Sequence, residues 1–549
     1  MGSSELLIVL DRGSATPLQQ QVCDGIAGLV GSGRLRPGEA VPASRELAAQ
    51  LGVSRTVILR AYELLTANGL LTARRGSGTR VAERAAGEGA APGPARTALA
   101  PQPPLATDGG DALWQPWEPP PMQQAGTALD FRHGTPALAN FPVSRWRQSV
   151  HEAYARADVA ALGYGPAEGS AALRAQIATL VRQSRALDAS PDSILVTSGA
   201  TQALDILARL LVGPGDVVVI EDPSHTVLRQ VFGSTAGTVV PVPVDEEGLR
   251  VADIDAHVRA HGQDPDRVRL VYVTPSHQFP TGFIMSEDRR RALLAWAGRR
   301  GATVLEDDYH NEFTFAAERL PALAAARHQG TVVYVGSFSK TLFPALRIGY
   351  AIVPRRLVRP FLGIKWITDR LTPTVDQEAL AHFVATGAYA RHVSRMTRLY
   401  RERRRSLLDG LYTHFGAEVR ISGAAAGLHV LVALTGARGV GEDEIVRRAA
   451  ALGVRVYPAS GYFVREPPAE PTFLMGYAAL PGTRIAEGTA LLAAAVREAT
   501  EVREATAARE TKAVRETKAV REATAARETK AAREATAAGP PVSRSRARR

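Results

Sequence analysis

The sequence predicts a multidomain chain in which a small N-terminal α+β unit precedes a large α/β body with a smaller C-terminal α/β subdomain. With 549 residues, the chain is longer than one hydrophobic core usually supports. Short helical patterns precede a Gly-rich hairpin within the first 82 residues. From residue 129 onward, apolar runs typical of buried strands alternate with longer helical patterns, which indicates a mixed or parallel sheet covered by helices. The clearest strand runs are Ser193–Thr197, Asp216–Ile220, Val268–Val273, Thr303–Leu305 and Thr331–Val335.

Composition divides the chain into four segments. Residues 1–82 form the N-terminal unit, 83–128 an Ala-, Gly- and Pro-rich linker, 129–496 the body and 497–549 a low-complexity tail. As a flexible coil of about 45 residues, the linker would span roughly 35–40 Å. The tail repeats REATxx or RETKAx every six residues, which turns a helix by about 600°, so no coiled-coil stripe is predicted. A solvated helix, a disordered extension and a basic arm that touches DNA all remain open for the tail.

Charge and cysteine usage limit the classes of protein that fit. The formal net charge is +11, but the segment from Arg497 onward carries 14 basic and 8 acidic residues, so the body is only mildly basic. The single cysteine, Cys23, excludes a disulfide framework and indicates a reducing compartment. Neither a signal pattern nor a membrane-spanning apolar run is found, and no metal site is predicted. We therefore expect a cytoplasmic protein that does not bind a membrane.

Turn signals divide the N-terminal unit into helices. The first has an apolar face, after which Ser44 is predicted to cap a helix over Arg45–Gln50. Gly52 forms a tight turn, and Ser54 is predicted to cap a second helix over Arg55–Asn68. Two short helices joined in this way form a helix-turn-helix unit. The apolar side predicted for the second helix comprises Val57, Leu59, Tyr62, Leu64 and Leu65.

A basic hairpin follows, with predicted strands at residues 70–73 and 79–81 around the run RRGSG. Such a wing suits contact with phosphates or the minor groove, so the unit is predicted to bind double-stranded operator DNA. The stretch GRLRPGEAVPASRELAAQLGVSR and the wing GSGTRV closely resemble the winged-helix domain of GntR-family regulators. The family usually has Asn-Thr where this chain has Thr56-Val57. The candidate DNA-binding residues are Ser44, Arg45, Ser54, Arg55, Thr56, Arg60, Arg74, Arg75, Gly76 and Ser77.

The body carries the residue types that a pyridoxal-phosphate site needs: a lysine, a carboxylate for the ring nitrogen and a phosphate cradle. Only two lysines precede residue 500, Lys340 and Lys365. Lys340 follows a predicted strand, and Asp307 ends another, with Tyr309 two residues later. Small residues in Ser198–Leu204 stand between a strand and a helix, where backbone N–H groups bind anions. Lys365 has no comparable surroundings, and we assign it a structural role.

The body resembles the fold-type I aminotransferases, and the whole chain resembles the MocR-like branch of the GntR regulators. The matching runs are YGPAEGSAALR, SGATQALD, VIEDPSH, TPSHQFPTG, EDDYHNEF and GSFSKTLFPALRIGYAIVP. The resemblance implies that Lys340 forms the Schiff base, Asp307 pairs with the ring nitrogen and Tyr309 with the ring hydroxyl. It also implies a homodimer in which Tyr164 reaches the partner's cofactor phosphate. The residues implied around the chain's own phosphate are Ala200, Thr201, Ser337, Ser339 and Arg347.

Three departures from that family bear on chemistry. His225 stands where a tyrosine is common near the ring, and the charge of an imidazole can change near neutral pH. Phe279 precedes the Pro-Thr-Gly turn in place of asparagine, which leaves His277 or Gln278 to approach the ring or to pack in the core. The run Phe473–Ala478 lacks the arginine that binds a substrate carboxylate in catalytic relatives, although Arg484 lies just beyond it. Full transamination is therefore not expected.

Three hypotheses follow. The first is a transcription regulator whose body senses pyridoxal phosphate, or a small amino compound through an external Schiff base, and thereby changes how a dimer engages paired DNA half-sites. The second is an active aminotransferase with an accessory DNA-binding domain, which predicts sustained turnover. The third is a DNA-binding protein that uses the body only for dimerisation, which predicts no bound cofactor.

Overall fold

The computed structural model describes residues 7–74, 78–83, 129–157, 159, 163–235, 237–309, 312–315, 320–326, 330–537 and 539. The chain divides into two compact units, Met1–Asp111 and Ala112–Arg549, which are described separately.

The N-terminal unit is a winged helix-turn-helix, as the sequence predicts. Its core contains Val22, Ile26, Leu47 and Ile58, none of which exposes side-chain surface to solvent, so all three helices meet there. The two wing strands pair antiparallel, with Leu71 opposite Val81. The elements are α1 (Leu18–Gly31), α2 (Ser44–Leu51), α3 (Arg55–Ala67), β1 (Leu71–Arg74) and β2 (Gly78–Val81).

Of the two predicted N-caps, Ser54 occupies the N-cap position and Ser44 does not. Ser44 is not an N-cap, because α2 begins at Ser44 itself and Ala43 takes the cap position with extended backbone. The carboxylate of Glu46 accepts a hydrogen bond from the Ala43 N–H at 3.3 Å, which holds this earlier start. Ser54 does precede α3 as its N-cap, but its side chain makes no capping hydrogen bond.

The predicted apolar side of α3 is partly wrong. Leu59 and Leu64 are 40% and 42% exposed, and the buried side instead comprises Ile58, Ala61, Tyr62 and Leu65. Because successive residues on a helix are 100° apart, the buried set forms a narrow stripe that leaves both leucines outside it. Apolar character alone did not reveal which leucines face the core.

The body is built on an eight-stranded mixed sheet with apolar clusters on both faces. Its helices are α4 (Val143–Arg156), α5 (Ala171–Arg185), α6 (Ala200–Leu211), α7 (Thr226–Gly233), α8 (Ile254–Ala260), α9 (Glu287–Arg300), α10 (Arg355–Thr368), α11 (Thr374–Ala385), α12 (Ala388–Phe415), α13 (Glu442–Ala451) and α14 (Gly482–Ala537). Its strands are β3 (Leu129–Asp130), β4 (Ile194–Thr197), β5 (Val217–Asp222), β6 (Thr238–Asp245), β7 (Gly248–Leu249), β8 (Val268–Val273), β9 (Thr303–Asp308), β10 (Val332–Ser337), β11 (Gly349–Ile352), β12 (Val419–Ser422), β13 (His429–Leu434), β14 (Val454–Arg455), β15 (Tyr457–Pro458) and β16 (Thr472–Gly476).

The order of strands in this sheet is β4-β11-β10-β9-β8-β5-β6-β7. Neighbouring strands from β10 to β6 run parallel, whereas β11 is antiparallel to both of its neighbours. All five predicted strand runs overlap strands of this sheet. The parallel strands therefore end together at one edge, which is where open α/β sheets bind ligands.

The smaller C-terminal subdomain contains an antiparallel sheet in the order β12-β13-β16-β15. Its core includes Phe473 and Met475 of β16 and receives side chains from α12, α13 and α14. The short strand β3, where the body begins, pairs with β14. The described start of the body is therefore held beside the C-terminal subdomain.

The repeat tail continues the last helix of the body. Side chains of α14 are buried as far as Ala499, and beyond Thr500 the described side chains are exposed. Exposed ion pairs such as Lys512–Glu516, at 4.0 Å, join residues four apart. The described tail is helical rather than disordered as far as Ala537, and contact of this segment with DNA stays a prediction. Within the described ranges, no helix combines the length and apolarity needed to cross a bilayer.

Candidate functional site

The candidate DNA interface lies at the N-termini of α2 and α3. Arg45, Arg55 and Thr56 are exposed there, and so is Arg60 one turn further along α3. The Nε of Arg55 donates to the hydroxyl of Ser44 at 3.3 Å, which joins the two helix starts. The first turn of α3 contains no acidic residue, so its dipole and Arg55 both favour contact with phosphate.

The wing is described only in part. Arg74 ends β1, whereas Arg75, Gly76 and Ser77 lie outside the described residues. Sequence reasoning missed Arg80, which is exposed on β2 and donates from Nη1 to the carbonyl of Gly38 at 3.0 Å. Its position in the basic wing was the available signal, because alternate residues of a hairpin face solvent.

A second candidate site is a cavity of about 270 Å³ at the edge of the large sheet where the parallel strands end. It brings together six of the predicted cofactor residues from four different strand ends. These are Lys340, Asp307, Tyr309, Ala200, Thr201 and His225.

Asp307 is held at the base of this cavity by a residue that sequence reasoning missed. The hydroxyl of Tyr272, on the neighbouring strand β8, donates to Oδ2 of Asp307 at 2.8 Å. The other carboxylate oxygen, Oδ1, is buried and has no hydrogen-bond partner among the described residues. Burial raises the pKa of Asp307 to about 6, against an ordinary value of 3.8. A buried acceptor is thus available to a donor that enters the cavity.

Lys340 extends across the cavity from the end of β10. Its Nζ donates to the carbonyl of Gly134 at 2.8 Å. Burial lowers the pKa of Lys340, although the nearby charge of Asp307 acts in the opposite direction. A lowered pKa increases the fraction of neutral amine, which is the nucleophilic form.

The start of α6 and the residues around Arg347 form a small anion cradle. Gly199, with φ +93°, turns the chain into the helix, and a Cβ there would lie 2.8 Å from Nη2 of Arg347. The same guanidinium donates to the carbonyl of Ser198 at 2.8 Å. The hydroxyls of Ser337 and Ser339 lie 2.9 Å apart. Helix N–H groups, a guanidinium and hydroxyls together suit a phosphate.

Lys365 is connected to this cradle through Asp369 and Ser198. Its Nζ is fully buried and pairs with Oδ1 of Asp369 at 2.9 Å. Asp369 in turn accepts a hydrogen bond from the hydroxyl of Ser198 at 3.2 Å. The position of Lys365 agrees with the structural role assigned to it.

His225 and Phe279 form one wall of the cavity, with ring centroids 5.0 Å apart. Burial lowers the pKa of His225 to about 4, so its ring is neutral near pH 7. The predicted change of its charge near neutral pH is therefore wrong for this environment. Of the three residues before the Pro-Thr-Gly turn, Phe279 lines the cavity, whereas Gln278 is held by the carbonyl of Pro223 at 2.7 Å and His277 packs in the core.

Tyr309 is placed differently from the role that the resemblance implies, whereas the exposure of Tyr164 is compatible with contact to a partner subunit. The hydroxyl of Tyr309 donates to the carbonyl of His277 at 2.9 Å, although its ring lines the cavity. Tyr164 lies outside the cavity of its own chain and is 75% exposed, with the guanidinium of Arg370 over its ring at 5.2 Å.

The cavity also contains residues that no local pattern marks. His133 and Gly134 come from the start of the body, and His429 comes from β13 of the C-terminal subdomain. They reach the cavity through the pairing of β3 with β14 and of β13 with β16. Tyr272 was detectable in principle, because it is a hydroxyl-bearing residue near the end of a buried parallel strand.

Comparisons with known proteins match both units of the chain. Residues 128–460 match the family described as aminotransferase class I and II, and residues 18–81 match the gntR family of bacterial regulatory proteins. The probable rhizopine catabolism regulatory protein MocR of Rhizobium meliloti is 33% identical over 492 residues, which cover 89% of this chain and 96% of that protein. The chain belongs to the MocR-like branch of the GntR-family regulators.

Other relatives separate regulators from enzymes. The pyridoxine biosynthesis regulator PdxR of Corynebacterium glutamicum is 32% identical to the MocR-like chain. The match covers 84% of the MocR-like chain and 92% of PdxR. The 2-aminoadipate transaminase of Thermus thermophilus is also 32% identical, but it covers only 68% of the chain and 92% of its own length. Because the regulators match through the DNA-binding unit as well as the body, the MocR-like chain is a transcription regulator with an aminotransferase-like domain.

Solved structures agree on the fold of the body. The kynurenine aminotransferase of Pyrococcus horikoshii superposes with a TM-score of 0.62 at 27% identity, covering 68% of the MocR-like chain and 91% of its own. The α-aminoadipate aminotransferase of Thermus thermophilus gives a TM-score of 0.61 at 31% identity, covering 68% and 93%. The body therefore has the fold of pyridoxal-phosphate-dependent aminotransferases.

The residues of the cavity fit that cofactor. The free Oδ1 of Asp307 would accept from a protonated ring nitrogen, and Nζ of Lys340 would meet the aldehyde. The cradle at Gly199 and Arg347 offers donors for the phosphate.

The buried carboxyl predicts a pH dependence of stability. Because the folded-state pKa of Asp307 is raised from 3.8 to about 6, the cofactor-free protein loses stability as the pH rises through that interval. In the Asp307→Asn variant we expect this loss to disappear, so that the variant gains about 2 kcal/mol of stability relative to the wild type between pH 4 and pH 7. Urea denaturation of the wild type and the variant without cofactor, at four pH values, gives the free energy of unfolding of each protein. If this free energy changes with pH in the same way in both proteins, Asp307 is not the cause of the loss.

Proposed function

We propose that this MocR-like chain is a pyridoxal-phosphate-dependent, DNA-binding transcription regulator. Its body senses the cofactor itself or a small amino compound, and it acts as a homodimer in the bacterial cytoplasm. The observation that carries the proposal is the free, buried Oδ1 of Asp307 in the same cavity as Lys340. A buried carboxylate oxygen without a donor is costly, and a protonated ring nitrogen would remove that cost.

Each residue of the site has a defined task in this proposal. When bound, pyridoxal phosphate supplies an aldehyde carbon that condenses with primary amines. Lys340 holds the cofactor, Asp307 keeps its ring nitrogen protonated, and Arg347 with the start of α6 holds its phosphate. His225 and Phe279 cover the ring from one side.

The DNA-binding role rests on the exposed set at the starts of α2 and α3. Arg45, Arg55, Thr56 and Arg60 face solvent together, and residues 75–77 of the wing add basic and small residues in sequence. A winged helix-turn-helix of this kind inserts its second helix into the major groove of operator DNA. Ligand binding in the body then changes DNA binding to the extent that the ligand favours one arrangement of the dimer.

The cofactor proposal is tested by chemical trapping. The purified full chain is incubated with pyridoxal phosphate and reduced with borohydride, and the modified peptide is identified by mass spectrometry. We expect the modification at Lys340 at one equivalent per chain. Modification confined to the exposed tail lysines, such as Lys512 and Lys518, would contradict the site.

An active aminotransferase is the competing function. The cavity does contain the lysine and the carboxylate that such enzymes use. Sustained conversion of an amino donor and a keto acid by the purified chain would favour it. A single turnover that stops when the bound cofactor is consumed agrees with the regulator instead.

The homodimer is supported by an exposed patch beside the cradle. Tyr164, Trp366 and Ile367 are 75%, 49% and 79% exposed, and Arg370 lies over the rings of both Tyr164 and Trp366. Arg347 of the cradle is also exposed in the single chain. A partner subunit on this patch would cover the aromatic rings and bring its Tyr164 towards the phosphate.

We therefore expect Ile367→Glu to weaken the dimer by at least tenfold, because it places a charge in an apolar interface. Sedimentation equilibrium measures the dimer dissociation constant, with the exposed tail substitution Val514→Glu as the matched control. If Ile367→Glu sediments as the wild type does, the patch is not the interface.

A further inference from the structure

Part of the cavity and its surroundings, apart from Phe279, has no role in the proposed function. We define this ligand wall by His133, Phe279, His429, Tyr462 and Leu474. The first three line the cavity directly. Tyr462 and Leu474 belong to the apolar cluster around Phe279, and the Tyr462 and Phe279 ring centroids lie 5.1 Å apart. A small molecule bound beside Lys340 would therefore extend along this wall.

The ligand wall is electrically neutral. Burial lowers the pKa of His133 to about 3 and holds the pKa of His429 well below its ordinary value. Burial also raises the pKa of Tyr462 to about 12, so its hydroxyl stays protonated. Near pH 7 the wall thus offers imidazoles, a phenol and apolar groups, and it offers no charge.

The arginines that surround the wall are held by groups of the protein. Arg132, next to His133, donates to Asp130 at 3.1 Å and to the hydroxyl of Tyr457 at 3.3 Å. Arg229 donates to the carbonyl of Gly461 at 2.8 Å. Arg347 belongs to the anion cradle. Among the described residues, no arginine or lysine other than Lys340 lines the cavity.

Strand β16 explains why the wall is apolar at its far end. Phe473 and Met475 point into the core of the C-terminal subdomain. Because side chains alternate along a strand, Leu474 lies on the opposite face, where it packs with Phe279, Tyr309 and Tyr462. Position 474 is therefore the place on this strand from which a cation would reach the ligand wall, and an aliphatic side chain occupies it.

One polar atom of the wall is available to a ligand. Nδ1 of His133 is buried and has no hydrogen-bond partner among the described residues, while Nε2 lies 3.2 Å from the hydroxyl of Tyr462. A hydroxyl group of a ligand would satisfy this nitrogen. A carboxylate would be buried in the same place without a cation, and such burial is strongly unfavourable.

We propose that the ligand of this cavity is a primary amine that carries hydroxyl or aromatic groups and no carboxylate. The inference rests on the proposed function, because it requires the cofactor to be bound at Lys340. It narrows that function from amino compounds in general to amines with an uncharged remainder.

Pairs of compounds that differ only in the α-carboxylate test the proposal. The full chain loaded with pyridoxal phosphate is titrated with ethanolamine and with serine, and separately with tyramine and with tyrosine. The change in visible absorption of the bound cofactor gives each Kd, and free pyridoxal phosphate titrated in parallel corrects for the intrinsic reactivity of each amine. We expect at least one of the two amines to bind at least tenfold more tightly than its amino acid.

A variant designed to bind a ligand carboxylate provides a second test. Leu474→Arg places a guanidinium on the ligand wall and should reduce or reverse the preference for the amine. If this variant does not fold, as judged by circular dichroism, the wild-type pairs still decide the question. Equal or tighter binding of the amino acids by the wild type would overturn the inference and leave the cofactor site intact. Absence of any cofactor band before amines are added would overturn the proposed function and the inference together.

Discussion

Lys340→Ala should remove the visible absorption band of protein-bound pyridoxal phosphate and, with it, any response of DNA binding to the cofactor. The reason is geometric, since Lys340 is the only lysine that lines the cavity among the described residues. The other lysine of the body, Lys365, is buried in an ion pair with Asp369. The expected effect is a complete loss of the band, because no other amine of the described residues lines the cavity.

The matched control for this variant is Lys518→Ala, which removes an exposed lysine of the tail. It should leave the band and the DNA response as they are in the wild type. The N-terminal unit has its own core, so Lys340→Ala should still bind operator DNA. A band that persists in Lys340→Ala would place the cofactor on another lysine.

Arg55→Ala should produce the second large effect, a loss of operator affinity of about 1–3 kcal/mol, or roughly fivefold to 150-fold. Arg55 is exposed at the first position of α3, where side chains reach base edges in the major groove. A contact with a base would be lost on operator DNA but not on a scrambled duplex. Fluorescence anisotropy with both duplexes, at one fixed salt concentration, measures the difference.

Two further substitutions serve as a control and a comparison for Arg55→Ala. Arg182→Ala removes an exposed arginine of the body and should change neither affinity. Arg45→Ala, at the start of α2, should weaken binding to both duplexes alike if it contacts phosphate. Should Arg55→Ala also lower both affinities equally, then Arg55 holds the backbone and another residue reads the bases.

The site residues near strand ends could be predicted from the sequence, because each is recognised from the apolar run that precedes or contains it. Asp307 lies at the end of a buried strand, and Lys340 and Thr201 follow shortly after one. Parallel strands end at one edge of a sheet. The cavity therefore contains these residues together, as the spacing indicated. The winged helix-turn-helix was predictable for a similar reason, since its turns carry Gly and its helices are short.

The rest of the cavity depends on tertiary packing. His133 and His429 are almost 300 residues apart, and strands β3 and β13 bring them to one wall with ring centroids 6.3 Å apart. No local pattern encodes such a contact. The exposure of Leu59 likewise depends on which stripe of α3 meets α1, and hydrophobicity alone does not decide that. The helix start at Ser44 was displaced by a single hydrogen bond, from the Ala43 N–H to Glu46.

The helical structure of the tail could not be decided from the repeat sequence alone. Its six-residue repeat excludes an apolar stripe, yet Ala, Arg, Glu and Lys are all strong helix formers. Continuation from a packed helix removes the cost of nucleation, which a sequence window beginning at residue 497 does not reveal.

Control of DNA binding by the cofactor cavity can be tested with a single titration. The affinity of the wild-type chain for a duplex selected from random DNA is measured by anisotropy without cofactor and with saturating pyridoxal phosphate, alongside Lys340→Ala. We expect the cofactor to change the operator Kd of the wild type by at least fivefold, a coupling of about 1 kcal/mol, and to leave the Kd of Lys340→Ala unchanged. Identical affinities for the wild type in both conditions, with and without an added amine, would contradict it.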